Sequence, residues 1–376
     1  MPKVVEIQKA DDPRDVIHQA VQSLAEGQLV GFPTETVYVV AAHGLKPDAV
    51  SRLASLCDPR EPVGHVLALK GSAEALDYVP RMSALGRKLT RRCWPGPVTL
   101  MFDGNQEGLA GALPAATRQA VAPHGELALR TPAQDIVLDV LRLMPAPLVL
   151  SAERAGNCPL ATTAAQLLAN AGETELDLVI DDGPSRYGQP SSVLSVHNQR
   201  CRLVREGVVS ERTLGRLASE MYLFVCTGNT CRSPMAEALF RKLLADKLGC
   251  SEENLVDSGY VVASAGLSAG LGHPPSPEGV QILAERGVDL RSHESQPLTP
   301  RLLNQADHIY AMTRSHRDAI LWEYPELADR VELLSRTGHD ISDPIGAGYD
   351  EYVRCAAEIE EHVRSILAEL DSTANN

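Results

Sequence analysis

Residues 222–236, Tyr-Leu-Phe-Val-Cys-Thr-Gly-Asn-Thr-Cys-Arg-Ser-Pro-Met-Ala, decide the fold of the second half of the chain. An apolar run ends at Cys226, a loop of five residues follows, and Pro234 stands where the first turn of a helix would begin. A strand, a loop and a helix in this order predict a backbone cradle in which N–H groups and the helix N-terminus face an anion.

The side chains of this loop suit a cysteine nucleophile that attacks a phosphoryl group. The positive potential favours a thiolate on Cys226, and Arg232 can hold two phosphoryl oxygens bidentately. We expect Ser233 to donate to the sulfur, Gly228 to allow an unusual backbone dihedral and Asn229 to brace the loop. The alternative is an inert buried cysteine, and the complete strand–loop–helix pattern favours the functional interpretation. The expected phosphate loop consists of Thr227, Gly228, Asn229, Thr230, Cys231 and Ser233.

Such chemistry also needs an acid that protonates the leaving group. Asp343 precedes Pro344, which restricts the residue before it and would help to aim the carboxylate. Asp340 is the local competitor, and a helix-capping or turn aspartate is the alternative interpretation of either residue. In combination with the cysteine loop, Asp343 is the predicted general acid.

The distribution of charge divides the chain of 376 residues, whose formal net charge is −14, into two modules. Residues 1–219 carry 22 basic and 24 acidic side chains, whereas residues 220–376 carry 13 and 25. We predict a first domain over 1–209, a linker over 210–220 and a second domain over 221–371. The acidity argues against attraction of the whole chain to nucleic acid, and an aromatic content of 4% argues against a base-stacking platform.

Both modules are predicted to combine helices and strands in an α/β fold. In the first, Asp12 and Pro13 begin a helix that Gly27 ends, and a strand follows from Leu29. In the second, the elements alternate in the doubly wound manner of a parallel sheet: strand 221–225, helix 234–248, a helix near 277–287, strand 307–312 and a last helix 350–370.

Three kinds of sequence signal bear on location and metal content: a secretory signal, a membrane-spanning run and the spacing of cysteines. We recognise no secretory signal and no apolar run of membrane-spanning length. The eight cysteines are widely spread and show neither a C-x-x-C pair nor zinc-ligand spacing. We therefore expect a cytoplasmic protein with reduced thiols, no metal and no membrane partner.

Residues 221 to about 370 resemble the low-molecular-weight protein tyrosine phosphatase family. Besides the cysteine loop, the segments that begin at Ser264, Ser292 and Ala306 match it: Ser-Ala-Gly, Ser-His-Glu-Ser and Ala-Asp-His-Ile-Tyr-Ala-Met-Thr. The resemblance implies a phosphoprotein substrate, a phosphocysteine intermediate and no cofactor. It also implies the roles of the site residues: Cys226 as nucleophile, Arg232 as phosphate clamp, Ser233 as thiolate partner and Asp343 as general acid.

Two positions refine the expected substrate. Thr230 stands where tyrosine-specific members usually carry Ile and resembles the protein-arginine phosphatase subgroup, and Ile345 stands where the family usually has an aromatic residue. Phosphoarginine is therefore placed slightly ahead of phosphotyrosine. Cys231 is interpreted either as a disulfide partner that protects Cys226 from over-oxidation, as in relatives, or as a small residue packed under the loop. An arsenate reductase would need a further redox cysteine pair, and only the widely separated Cys250 and Cys355 follow.

Residues 15 to about 208 resemble the YrdC-like, threonylcarbamoyl-AMP synthase family, whose domain is a mixed twisted α/β sheet. The matching segments occur in the same order, beginning at Gly31 (GFPTETVY), Trp94 (WPGPVTL), Leu127 (LALRTP) and Tyr187 (YGQPSSV). If this module is active, the resemblance implies ATP and Mg²⁺ as cofactors. A nucleotide, tRNA or double-stranded RNA is then its expected partner.

Several catalytic positions of that family are altered. Asp58 replaces a lysine, Glu153 an asparagine and Ala155 a serine, which predicts weakened or lost synthase chemistry. The basic run 87–92 could contact RNA, although a solvated helix face is the favoured interpretation.

Two alternatives to a phosphatase with a degenerate first module remain open: a bifunctional enzyme that also makes threonylcarbamoyl-AMP from threonine, bicarbonate and ATP, and a pure binding protein. The remaining candidate ligand contacts are Thr34, Arg60, Arg130, Ser151 and Ser191.

Overall fold

The chain folds as two units that divide between Leu214 and Gly215. The division falls inside the segment predicted as a linker, where the structure forms a helix over Glu211–Ala218. In this computed structural model the described residues are 2–56, 63–104, 107–153, 159–171 and 176–374.

A mixed sheet of ten described strands organises the first unit. The strands are β1 Lys3–Glu6, β2 Val30–Phe32, β3 Val39–His43, β4 Val66–Ala68, β5 Val98–Asp103, β6 Glu126–Arg130, β7 Leu148–Leu150, β8 Leu178–Asp181, β9 Ser192–His197 and β10 Arg200–Arg205. Their order in the sheet is β1-β8-β2-β3-β7-β4-β6-β5-β9-β10, and it contains both parallel pairs, such as β5–β9, and antiparallel pairs, such as β5–β6. This arrangement confirms the predicted mixed α/β fold.

The first helix shows how the sequence specifies these elements. The Asp12 carboxylate accepts a hydrogen bond from the Arg14 N–H at 2.9 Å, and Pro13 occupies the first helical position. One face of the helix, including Ala20 and Leu24, is buried, so the predicted helix is confirmed. The helices that precede or cross the division are α1 Pro13–Ala25, α2 Pro47–Ser55, α3 Ala75–Tyr78, α4 Ala84–Cys93, α5 Gly108–Ala112, α6 Ala115–Val121, α7 Asp135–Leu143, α8 Ala164–Ala171 and α9 Glu211–Ala218.

The second unit contains a four-stranded parallel sheet whose strands are β11 Glu220–Cys226, β12 Tyr260–Gly266, β13 His308–Ala311 and β14 Val331–Leu333. Their order in the sheet is β12-β11-β13-β14. This order confirms the predicted doubly wound fold, because the chain leaves β11 first toward β12 and then returns to β13 on its other side. The helices are α10 Arg232–Leu248, α11 Pro277–Glu285, α12 Pro300–Gln305, α13 Arg314–Glu323 and α14 Tyr349–Ala374.

Strand β11 is buried on both faces. Tyr222 and Phe224 join the core that includes residues of α10 and α14, whereas Leu223 and Val225 join a separate core that includes Ile320 of α13. A strand covered on both faces is apolar at successive positions, which explains the uninterrupted run in the sequence. The two cores fix the end of β11, where Cys226 lies.

The described part of the chain was compared with the requirements of a membrane-spanning helix and of a metal site. None of the helices there has the length and apolar character needed to cross a bilayer. No group of histidine, cysteine, aspartate and glutamate side chains among the same residues is arranged to hold a metal ion.

Candidate active site

Cys226 lies at the carboxyl end of the central strand β11, between β12 and β13. The Leu267 N–H donates to the Cys226 carbonyl oxygen at 3.0 Å, and the Met312 N–H donates to the Val225 carbonyl oxygen at 3.0 Å. Segments that follow both neighbouring strands therefore fix the strand end. Ligands of doubly wound folds bind at this edge of the sheet, where the strand order reverses.

The sulfur of Cys226 lies among polar groups although the residue is buried. The Ser233 Oγ lies 3.0 Å from Cys226 Sγ, and the Asn229 N–H donates to the same sulfur at 3.3 Å. Ser233 belongs to the first turn of α10, a helix of 17 residues. Hydrogen-bond donors and a helix N-terminus both stabilise a thiolate, so these surroundings suit a nucleophilic cysteine.

The loop conformation depends on Asn229, and the role predicted for Gly228 is wrong. Asn229 adopts a φ of +55°, whereas Gly228 has no positive φ and a Cβ there would only contact Thr230 Oγ1 at 3.6 Å. Asparagine tolerates the left-handed region because its short side chain can form local hydrogen bonds. Here Asn229 Nδ2 donates to Ser233 Oγ at 3.0 Å and to Ser264 Oγ at 2.8 Å, which supports its predicted bracing role.

The glycine that the loop requires for close approach is Gly266, at the end of β12. A Cβ at this position would lie 2.5 Å from the Thr227 carbonyl oxygen and 2.9 Å from the Asn229 backbone nitrogen. Both are backbone atoms of the phosphate loop, so a side chain at Gly266 would displace the loop. Its sequence signal is only the Ser-Ala-Gly segment, which does not indicate what the glycine faces.

Arg232 and Asp343 form an ion pair beside the loop. Arg232 Nη2 donates to Asp343 Oδ2 at 2.5 Å, and Nη1 donates to the Ile341 carbonyl oxygen at 3.1 Å. The Arg232 side chain is 6% exposed and that of Asp343 is 45% exposed. Asp340, the competing candidate acid, instead accepts a hydrogen bond from the Arg314 N–H at the start of α13. The geometry therefore favours Asp343.

His316, which the sequence did not single out, contacts the loop from α13. Its Nε2 lies 2.8 Å from Thr227 Oγ1, and its Nδ1 lies 2.9 Å from the Oγ1 of Thr313, the N-cap residue of α13. Burial and then the charge of Arg232 lower the pKa of His316, although Asp343 acts in the opposite direction. A neutral imidazole that accepts from one hydroxyl and donates to the other would fix the start of the loop.

A second buried chain of hydrogen bonds supports the loop from α10. Glu237 Oε2 accepts a hydrogen bond from Ser264 Oγ at 2.6 Å, and Ser264 Oγ in turn contacts Asn229 Nδ2. His293 Nε2 lies 2.9 Å from the Asn229 carbonyl oxygen. Burial raises the pKa of Glu237, and the Ser264 hydrogen bond and His293 oppose this rise. Sequence similarity indicated the segments that contain Ser264 and His293 but not this connection.

The remaining residues of the second unit that the sequence analysis singled out are Cys231, Thr230 and Ile345. The Cys231 thiol is free and buried, and it lies 3.3 Å from the Tyr352 hydroxyl of α14 and 3.6 Å from Thr230 Oγ1. Ile345 is 67% exposed, and its N–H donates to Asp343 Oδ1 at 3.2 Å. The residue after Asp-Pro is therefore available for contact with a substrate side chain.

The candidate ligand contacts of the first unit are only partly brought together. Thr34 Oγ1 donates to the Val37 carbonyl oxygen at 2.6 Å, and Ser151 Oγ accepts from the Val40 N–H at 3.0 Å. Arg130 and Ser191 instead both donate to the carboxylate of Glu153. Arg60, together with the altered positions 58 and 155, lies outside the described residues.

The basic run 87–92 lies entirely on α4, but its interpretation as a solvated face is wrong. Arg87 is exposed, whereas Lys88 is buried and Arg91 and Arg92 are partly buried. Because only Arg87 of these four cations is fully exposed, the run also gives little support to an RNA-binding face.

Comparisons with known proteins assign a relative to each unit. The family model described as low molecular weight phosphotyrosine protein phosphatase matches residues 222–376, and the Sua5/YciO/YrdC model, described as telomere recombination, matches residues 22–207. The protein-arginine-phosphatase of Bacillus subtilis (strain 168) is 38% identical over 152 residues, which are 39% of this chain and 95% of that protein. A probable low molecular weight protein-tyrosine-phosphatase of Ralstonia solanacearum is 37% identical over 123 residues, 32% of this chain and 76% of that protein.

A solved structure resembles the larger part of the chain. A variant of P. abyssi Sua5 covers 70% of this chain and 92% of its own, with 19% sequence identity and a TM-score of 0.50. At this identity the likeness shows the fold alone.

Proposed function

The chain belongs to the low-molecular-weight protein tyrosine phosphatase family and carries a YrdC-like domain in its first half, and on this basis we propose that it hydrolyses phosphoproteins through a phosphocysteine at Cys226. It is a protein phosphatase of the tyrosine/arginine type. The observation that carries the proposed mechanism is the convergence of Cys226, Ser233, Arg232 and Asp343 on one loop.

The proposed mechanism has two steps, and Asp343 acts in both of them. The Cys226 thiolate attacks phosphorus while Arg232 and the loop N–H groups bind the non-reacting phosphoryl oxygens. The bond to the leaving oxygen or nitrogen breaks, and Asp343 gives its proton to that atom. Asp343 then takes a proton from the water that attacks the phosphocysteine. The sulfur leaves as a thiolate, to which Ser233 donates a hydrogen bond.

The ion pair between Arg232 and Asp343 represents the resting state in this proposal. Asp343 contacts the guanidinium nitrogen that a phosphoryl oxygen would use, so an arriving substrate exchanges one anion for another on Arg232. The Asp343 side chain is nearly half exposed. We expect it to release Arg232 on binding, to take up a proton from solvent once it has left the guanidinium, and to turn toward the leaving group as the protonated acid.

For the substrate, we propose phosphoarginine ahead of phosphotyrosine. Thr230 presents a hydroxyl to the loop, and Ile345 offers no aromatic surface on which a phenyl ring could stack. The test compares kcat/KM on a phosphoarginine peptide, the matching phosphotyrosine peptide and para-nitrophenyl phosphate. Hydrolysis of none of these above background would contradict the proposed function.

Replacing Thr230 with isoleucine is expected to move the preference toward phosphotyrosine. The substitution removes the hydroxyl and adds branched alkyl surface that packs against an aromatic ring, so the ratio of kcat/KM for the phosphoarginine peptide over the phosphotyrosine peptide should fall about tenfold or more. Thr230→Val is the matched control, since it removes the hydroxyl at nearly constant volume. An unchanged ratio in Thr230→Ile would show that this position does not set specificity.

Replacing Asp343 with asparagine is expected to have an effect that depends on the leaving group. Without a proton donor, kcat/KM on both peptides should fall by about 10²–10³. On para-nitrophenyl phosphate it should fall about tenfold or less, because para-nitrophenolate leaves without a proton. Asp340→Asn, which alters the helix-capping aspartate, should change none of these rates greatly. Equal losses on all three substrates would contradict the role of Asp343 as an acid.

For the first unit, we propose, on its match to the YrdC-like family alone, a nucleotide- or RNA-binding domain whose synthase chemistry is weakened or lost. The Lys-to-Asp difference at position 58 reverses a charge that would offset a triphosphate. Arg130 and Arg205 both form ion pairs with the carboxylate of Glu153. In this arrangement the two guanidinium groups are not free to bind the phosphates of ATP, so the site does not fit ATP and Mg²⁺.

A further inference from the structure

The segment in which β13 passes into α13, residues 312–316, holds the start of the phosphate loop. A backbone N–H of this segment donates to the Val225 carbonyl oxygen at 3.0 Å, and His316 Nε2 lies 2.8 Å from Thr227 Oγ1. These contacts fall on the residues immediately before and after Cys226. The segment therefore fixes the backbone on both sides of the proposed nucleophile.

The same segment also holds the stretch of chain that leads to the proposed general acid. The Met312 carbonyl oxygen accepts a hydrogen bond from the Ile341 N–H at 2.9 Å, and the Arg314 N–H donates to Asp340 Oδ1 at 2.8 Å. Asp343 follows shortly after these two anchored residues. The start of α13 is thus a common support for the nucleophile and the acid.

The two ring nitrogens of His316, a buried residue, face different parts of the second unit. Nδ1 lies 2.9 Å from Oγ1 of Thr313, the N-cap residue that also accepts from the His316 N–H at 3.2 Å, so Nδ1 belongs to the helix cap. Nε2 reaches out of the helix to Thr227. The buried network that includes Glu237 acts on Asn229, so His316 supports a different position of the loop.

We propose that His316 is a positioning residue of the phosphatase reaction and acts through the Thr227 hydroxyl on the phosphate-loop N–H groups. The role rests on the proposed function, because it belongs to the same reaction. N–H donors stabilise the transition state only when they lie at hydrogen-bond distance from the phosphoryl oxygens. A displacement of about 1 Å can lower a rate by about 10²-fold. Since Arg232 still binds the phosphoryl group, loss of the Thr227 contact should lower kcat more than it raises KM.

Two variants of His316 separate the roles of its ring nitrogens. The side-chain nitrogen of glutamine lies as many bonds from Cα as Nε2, whereas that of asparagine lies as many bonds from Cα as Nδ1. His316→Gln should keep the contact with Thr227 and retain kcat on para-nitrophenyl phosphate within about threefold of the wild type. His316→Asn keeps only the contact with Thr313, so its kcat should fall about 10- to 100-fold. Its KM and its affinity for inorganic phosphate should change less than about threefold.

The partner hydroxyl gives an independent test. Thr227→Val removes the hydroxyl at nearly constant volume and should lower kcat as much as His316→Asn does, whereas Thr227→Ser should retain it. In the double variant, which combines Thr227→Val with His316→Asn, the loss should be no larger than in either single variant, because both remove the same hydrogen bond. Thr227 is exposed, so its variants test the role of His316 even if substitution of the buried histidine unfolds the chain.

His308→Asn is the matched control, because His308 lies on β13 and stacks on Tyr222 at 4.7 Å, outside the site. Its kcat should equal that of the wild type. Equal kcat values in His316→Gln and His316→Asn, a normal kcat in Thr227→Val, or additive losses in the double variant would each overturn the proposal. The proposed function would stand in these cases as long as Cys226→Ser abolishes turnover. Absence of turnover in the wild type would contradict the proposed function and the role of His316 with it.

Discussion

Replacement of Cys226 by serine is expected to abolish turnover, with a loss of at least about 10⁴-fold in kcat/KM on phosphoarginine, phosphotyrosine and para-nitrophenyl phosphate alike. A serine hydroxyl fits the same space but is not ionised at neutral pH, so the nucleophile is lost while Arg232 and the loop N–H groups remain. Binding of inorganic phosphate, measured by isothermal titration, should therefore change little. The separation of binding from turnover identifies Cys226 as the attacking group rather than as a structural residue.

Cys250→Ser is the matched control for this experiment. Cys250 is a free, partly buried thiol of the same unit that contacts Ser258 Oγ at 3.8 Å and packs at the edge of the core. We expect the kcat/KM values of Cys250→Ser to equal those of the wild type. Turnover by Cys226→Ser above the uncatalysed rate, or an equal loss in Cys250→Ser, would contradict a phosphocysteine at Cys226.

The parts of the site that the sequence predicts are those held by local structure. The strand, loop and helix around Cys226 are contiguous, so the apolar run, the spacing to Arg232 and the position of Pro234 determine them together. The first helix is predictable for the same reason, because its N-cap and its buried face lie within one short stretch. Local propensity and tertiary structure agree in these elements.

The residues that the sequence missed act over long separations along the chain. His316 contacts Thr227 across 89 positions, and Gln296, whose N–H donates to Asn229 Oδ1, lies 67 positions away. Gly266 is required only because β12 brings it against the loop. Such pairings depend on the order of strands in the sheet, which a single sequence does not determine at the level of side chains.

Glu153 shows a different limit of prediction. In the sequence, Glu153 stands where the YrdC-like family carries an asparagine, and this difference indicates only that the catalytic site is altered. The structure shows that the charge is satisfied by two arginines, a backbone N–H and two hydroxyl groups. A buried charge is tolerated when its partners converge on it, and that convergence requires the sheet.

Replacement of Arg232 by lysine is expected to lower kcat/KM by about 10³–10⁴ on all three substrates. Lysine keeps the positive charge but supplies a single point of contact, so it cannot bind two phosphoryl oxygens in one plane. Its single nitrogen also cannot occupy both guanidinium positions, that of Nη1 on the Ile341 carbonyl oxygen and that of Nη2 on Asp343. In contrast to Cys226→Ser, this variant should bind inorganic phosphate more weakly, because the lost group is the clamp and not the nucleophile.

Stability must be measured in the same variant, since Arg232 is buried and its loss leaves the Ile341 carbonyl without this donor. An unpaired buried acceptor costs about 1–3 kcal/mol, which urea unfolding can detect and which leaves most of the protein folded under assay conditions. Arg286→Lys is the matched control, because Arg286 pairs with Glu360 at 3.2 Å in the same unit and is partly buried. Normal turnover in Arg286→Lys with a large loss in Arg232→Lys would show that the loss is specific to the phosphate clamp and does not follow from replacing any partly buried arginine of this unit. A loss below tenfold in Arg232→Lys would mean that charge alone suffices and that bidentate binding is not used.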